Sequence, residues 1–128
     1  MSNQEHITLQ QNKLLSGIRD FISPDYPEYQ VLLEELIELL RNNNEEHWAN
    51  YFSKSLGLLY RDRPQKSIAH SLNAYGGMGS FNDSLCLKGA SSKTKKRGFQ
   101  LRHYLWSECR SKHNYFRYLF DTLRKNKP

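Results

Sequence analysis

Residues 31–40, VLLEELIELL, decide the fold class. Leu32, Leu33, Leu36, Ile37, Leu39 and Leu40 recur at helical spacing, so they share one broad apolar face, and Glu34, Glu35 and Glu38 take the other side. Just upstream, Pro27 suits the first turn of this helix, where its missing N–H costs nothing, and Glu28 suits the positive end of the dipole. The preceding Ser23, Pro24, Asp25 and Tyr26 form a breaker. Further upstream, Ile7, Leu14, Leu15, Ile18, Phe21 and Ile22 repeat near 3.6 and predict another helix over about residues 5–22, weakened by Gly17.

Downstream, the polar link at residues 41–44, RNNN, favours an antiparallel neighbour, with Asn44 as its N-cap and Glu45 and Glu46 in its first turn. Trp48, Phe52, Ser55, Leu56 and Leu59 form the inward stripe of that helix. Pro64 opens a shorter one with Ile68, Leu72 and Tyr75 on one face, expected to end at Gly76. Ser84, Leu85, Cys86 and Leu87 read as a short strand or an extended connector. Residues 88–98, KGASSKTKKRG, read as a basic loop or hairpin tip. One long helix is expected over about residues 99–125, with Leu101, Leu105, Cys109, Phe116, Leu119, Phe120 and Leu123 as its stripe, interrupted at Lys112.

The length of 128 residues favours a single domain spanning residues 1–128. No apolar run reaches the roughly 20 residues a membrane helix needs, and the N-terminus lacks the pattern of a signal peptide. Two cysteines make no disulfide framework, so the expectation is a cytoplasmic protein with reduced thiols. The net charge of +6 is unevenly spread. Through Leu85 there are seven Lys/Arg against eleven Asp/Glu, a balance of −4; from Cys86 onward there are twelve against two, a balance of +10. An acidic front and a basic back imply internal complementarity or an acidic partner for the back.

Residues 73–83, NAYGGMGSFND, place Gly76, Gly77 and Gly79 within four residues. Consecutive backbone N–H groups can cradle an anion, but a P-loop needs a lysine, and none lies between Lys66 and Lys88. The dinucleotide fingerprint also fails, because Asn82 stands where its last glycine would be. The structural reading is a tight corner: Gly76 closes one helix, Gly77 and Gly79 permit a close crossing, and Met78 and Phe81 plug the core beneath. Ser80 to Asp83 has the form of a capping box with Asp in place of Glu.

No catalytic constellation emerges. His47, His70, His103 and His113 show no metal-binding spacing, and Cys109 with His113 supplies two ligands of the four a zinc site needs, so no metal and no cofactor are expected. Lys93, Lys95, Lys96, Arg97, Arg102 and Arg110, interleaved with Phe99, Tyr104 and Trp106, have the composition of a nucleic-acid footprint or of a solvated helix face.

The string from Tyr75 to Asp83 resembles the hallmark of a family of small bacterial proteins of unknown function, which carry a Phe/Tyr-Gly-Gly-Met-Gly-Ser-Phe/Leu-Asn-Asp core. Glu46, His47, Trp48 and Ala49 match a second pattern of that family, and the likeness spans about residues 31–87. Ser84 departs from it, standing where leucine is usual, and residues 88–97 lack the family's acidic hairpin character. In size and setting the family is similar to immunity proteins of bacterial toxin systems. The resemblance implies binding of a cognate toxin rather than catalysis.

The expectation is a mainly α domain of four to five helices, with a glycine corner and room for one short hairpin before a long C-terminal helix. Its partner-binding surface is placed at Tyr75, Gly76, Gly77, Met78, Gly79, Ser80, Phe81, Asn82 and Asp83, flanked by Lys93, Lys95, Lys96, Arg97 and Arg102. The partner is a protein, with nucleic acid as the alternative through the basic region, and no membrane.

Overall fold

Proline begins two of the helices, at positions 27 and 64, as its fixed φ favours. The computed structural model describes residues 23, 25–76 and 78–123. Along these run α1 (Pro27–Asn42), α2 (Glu46–Tyr60), α3 (Pro64–Leu72), α4 (Phe81–Ser84), α5 (Ser92–Lys112) and α6 (Tyr115–Leu123). The protein is mainly α, and no strand or hairpin occurs among the described residues. The helix expected over residues 5–22 lies outside them.

α1 packs on α2 and α5, and α3 packs on α2, α5 and α6. Tyr29, Leu33, Leu36 and Leu40 of α1 meet Phe52 and Leu59 of α2, Ile68 of α3, and Leu101, Leu105 and Cys109 of α5 in one core. Each large apolar side chain buried there contributes about 1.5–3 kcal/mol. The phenol of Tyr29 at its centre is satisfied: Oη lies 2.7 Å from Ser67 Oγ and 2.9 Å from Ser71 Oγ.

Three expectations are corrected. Asn44 is not the cap of α2; it takes a left-handed conformation (φ 62), which asparagine tolerates, and Glu45 is the N-cap residue. The Glu45 carboxylate accepts the Leu87 N–H at 3.2 Å and so holds the connector to α5 in place.

The basic stretch 88–98 is not a loop throughout. Ser91 caps α5, its Oγ accepting the Thr94 N–H at 3.1 Å, and the residues from Ser92 onward are helical. Clustered cations oppose the helix dipole at an N-terminus, which is why composition misread the stretch. Packing overrides that penalty, since Gly98 is buried against Leu87 and Leu39.

The C-terminal helix is two helices. Gln65, itself buried, donates from Nε2 to Lys112 O at 2.9 Å and accepts the Asn114 N–H on Oε1 at 2.7 Å, satisfying the backbone where the chain breaks. Asn114 Oδ1 then accepts the Arg117 N–H at 3.1 Å as the cap of α6. After the break the expected stripe no longer faces the core: Phe116, Phe120 and Leu123 are exposed. α6 is held instead by buried Asp121, whose Oδ2 accepts the N–H groups of Gln65 at 2.7 Å and Lys66 at 3.2 Å at the start of α3. With the single turn of α4, the break brings the described helices to six where four to five were expected.

Candidate functional site

The glycine stretch forms the expected corner, although α3 ends at Leu72 and not at Gly76. The Ala74 and Tyr75 N–H groups close its last turn on Ser71 O and Leu72 O. Gly76 (φ +94) then reverses the chain, and Gly79 (φ +80) turns it again into α4. The Phe81 N–H donates to Ala74 O at 2.7 Å and ties off the loop. Ser80 Oγ accepts the Asp83 N–H at 3.3 Å, while Asp83 Oδ2 accepts the Gly79 N–H at 3.0 Å. This is the expected capping box displaced by one residue, so Asp83 is occupied within the corner.

Of the two expected plugs only Phe81 serves. It is fully buried, with its ring centroid 4.8 Å from Phe52, 5.1 Å from Trp48 and 5.7 Å from Tyr75. Trp48 Nε1 donates to Ser84 Oγ at 3.0 Å and pins α4 to α2. Met78 is 99% exposed at the tip. Gly77 lies outside the described residues.

Two bonds fasten the corner to α5. Tyr75 Oη donates to Arg102 O at 2.7 Å, and Arg102 Nη1 donates to Asn82 O at 3.1 Å. Between them opens a cleft of about 570 Å³, lined by Tyr75, Gly76 and Asn82 of the corner, Leu72 of α3, and Arg102, His103, Trp106 and Arg110 of α5. No carboxylate lines it. Arg102 lies over the Phe99 ring at 5.0 Å and Arg110 over Trp106 at 5.5 Å, which orients both guanidinium groups at the surface. His103 and Trp106 stack at 6.4 Å. Burial pushes the Tyr75 phenol pKa up, so it stays a neutral donor.

A shallower groove of about 620 Å³ continues along α5, lined by Ser92, Lys95, Lys96, Phe99, Gln100, His103 and Tyr104, and it too lacks a carboxylate. His103 is common to both. Lys93 is exposed beside this groove without lining it. Arg97 is turned away: its Nε and Nη2 each donate at 2.8 Å to an oxygen of Glu35 on α1. That bonding raises the Arg97 pKa further and commits the side chain internally.

The structure thus brings Tyr75, Gly76, Asn82 and Arg102 together, and leaves Phe81, Ser80, Asp83 and Arg97 to internal bonds and packing. His103, Trp106 and Arg110 complete the cleft. The signal that joins them is their spacing from Arg102, which sets all four close to one face of a helix.

Among the described residues no group of three or more His, Cys, Asp or Glu is placed to hold a metal ion. Cys109 is buried, which pushes its thiol pKa up, and His113 is exposed. None of the described helices is long and apolar enough to cross a membrane.

A family described as a domain of unknown function, DUF6966, matches residues 41–92. The match takes in α2, α3, the corner and α4, and it stops where α5 begins. No curated protein and no solved structure matches the chain.

Proposed function

We propose that the protein is a non-enzymatic binding protein that docks an acidic protein partner in the cleft between the glycine corner and α5. One observation carries this reading: Tyr75, Trp106, Arg102 and Arg110 converge on a single concave surface that no carboxylate lines. Trp, Tyr and Arg are the residue types that dominate binding energy at protein interfaces. Asn82 and Gly76 add a polar group and close backbone approach at the rim. The resemblance carried by residues 46–49 and 75–83 supports a finer assignment, an immunity-type protein that neutralises a cognate toxin in the cytoplasm. The family matched over residues 41–92 has no described role, so it supports the kinship and not the activity.

Calorimetric titration against the product of the adjacent gene tests the proposal. The expected result is a one-to-one complex that Trp106→Ala weakens at least about tenfold, roughly 1.4 kcal/mol, with the fold intact by circular dichroism. A complex indifferent to Trp106→Ala and Arg110→Glu overturns the assigned surface.

A second reading is favoured by the groove along α5, where Lys95 and Lys96 flank Phe99 and His103 as in single-strand nucleic-acid sites. Its mark is affinity that falls steeply with salt, by about 0.7 log unit per log unit of salt for each phosphate contacted.

A further inference from the structure

On α5 cations and exposed aromatic rings alternate in a fixed order, Lys95, Phe99, Arg102, Trp106, Arg110, with Lys95 and Arg102 half-buried and Arg110 exposed. The steps are four, three, four and four residues, so the five fall in one stripe about 80° wide and about 22 Å long. That spacing is the seam along which a second helix can lie, since two helices stay in register when contacts repeat every three to four residues. Leu101, Leu105 and Cys109 form the buried row beside it, centred about 100° round the helix. Phe99 and Trp106 are more than a third exposed, and the described structure sets no helix over them.

We infer that this seam receives an acidic amphipathic helix of the partner. Its carboxylates, spaced about seven residues apart, would face Lys95, Arg102 and Arg110, and its apolar residues would cover Phe99 and Trp106. Charge complementarity chooses the occupant: both hollows along the seam are cationic and carboxylate-free, so a second copy of α5 is repelled. The same helix already shows this chemistry internally. Its flank takes the acidic helix α1 through the two 2.8 Å bonds from Arg97 to Glu35. The corner supplies a wall for one edge of the docked helix through Tyr75 and Asn82.

The inference rests on the protein-partner reading and is tested with three probes on the full chain. The first is a synthetic helix of about 21 residues, three heptads, with Glu at one seam position and Leu at the other. The second has the same composition scrambled to destroy the spacing, and the third is a single-stranded oligonucleotide of equal charge. Fluorescence anisotropy at about 0.15 M salt is expected to give the heptad peptide at least a tenfold tighter Kd than the scramble. Arg110→Glu and, separately, Trp106→Ala should each remove most of that advantage. Equal affinity for the two peptides, or none for either, overturns the helix geometry while the protein-partner reading stands on its own titration. An oligonucleotide that binds tighter than both peptides, with a steep salt dependence, overturns both.

Discussion

The guanidinium of Arg97 forks onto the carboxylate of Glu35, joining α5 to α1 through two parallel 2.8 Å bonds. The arrangement is bidentate, the stronger form of the arginine–carboxylate pair. It is also partly solvated, with the side chains 42% and 23% exposed, which screens the charges. Glu35→Gln should therefore destabilise the fold by only about 1 kcal/mol in urea unfolding. Affinity for the acidic heptad peptide should be unchanged, because Arg97 lies off the seam. A loss of affinity equal to that of Arg110→Glu would return Arg97 to the binding surface.

The glycines divide by physical cause. Gly76 and Gly79 have positive φ, and a Cβ at either would meet nothing within 4 Å, so Ala there should cost about 1–2 kcal/mol through backbone conformation alone. Gly98 has ordinary helical geometry, but a Cβ would collide with Leu87 Cδ1 and crowd Leu39 Cδ2. Leu87 is fully buried and has little room to yield. Gly98→Ala should cost about 1–3 kcal/mol by overpacking, against the usual gain in helix propensity. Unfolding curves in which Gly98→Ala stabilises the protein would refute the tight α5–connector contact.

Asp121 carries the attachment of α6 through the backbone N–H groups of Gln65 and Lys66. Asp121→Ala leaves those donors without their acceptor, and charged hydrogen bonds of this kind contribute about 1.5–3 kcal/mol. Hydrogen exchange should quicken selectively over residues 115–123 while the amides of α1 keep their protection. Uniform acceleration along the chain would mean that α6 is integral to the core.

Stability should also fall on mild acidification through His70. Burial, and secondarily the charge of Lys54, hold its pKa below the ordinary imidazole value, while Nδ1 sits 2.8 Å from Ser55 Oγ and the ring stacks on Tyr51 at 4.1 Å. With the folded value depressed, the unfolded chain takes up the proton first. The contribution is complete above about pH 6.5 and declines as pH drops through that value toward the folded pKa. Urea midpoints between pH 7.5 and 5.5, about one unit either side of the unperturbed value, should decrease, and His70→Gln should flatten the trend.

The parts of the fold legible in the sequence were those written in local periodicity. The apolar stripe of residues 31–40, the prolines at 27 and 64, and the Ser80 cap sit where a reading of spacing and turn chemistry puts them. Glu34, read on the polar side, is instead buried and accepts from Gln30 Nε2 at 3.1 Å and Tyr60 Oη at 3.0 Å. What failed depended on partners distant in sequence. The break before α6 needs Gln65, about 49 residues away, to satisfy Lys112 and Asn114, and the helical start of α5 needs Leu39 and Leu87 around Gly98. For the cleft, the corner and the basic helix were each visible, but the bonds from Tyr75 and Arg102 that unite them were not. Asn82 and Asp83 separate for the same reason: one lines the cleft and the other is spent on the Gly79 N–H.

The displaced cap of the corner bears on the kinetics of any complex formed there. With Ser80 Oγ taken by the Asp83 N–H and the Asp83 carboxylate by the Gly79 N–H, the tip offers a thioether at Met78, while the formal charges of the cleft come from α5. Long-range attraction, which sets how fast partners arrive, then belongs to the helix and fades with salt. Short-range fit, which sets how long they stay, belongs to the corner. Changes at Arg102 or Arg110 would speed or slow arrival, and changes at Asn82, which lines the cleft from the corner, would alter residence time.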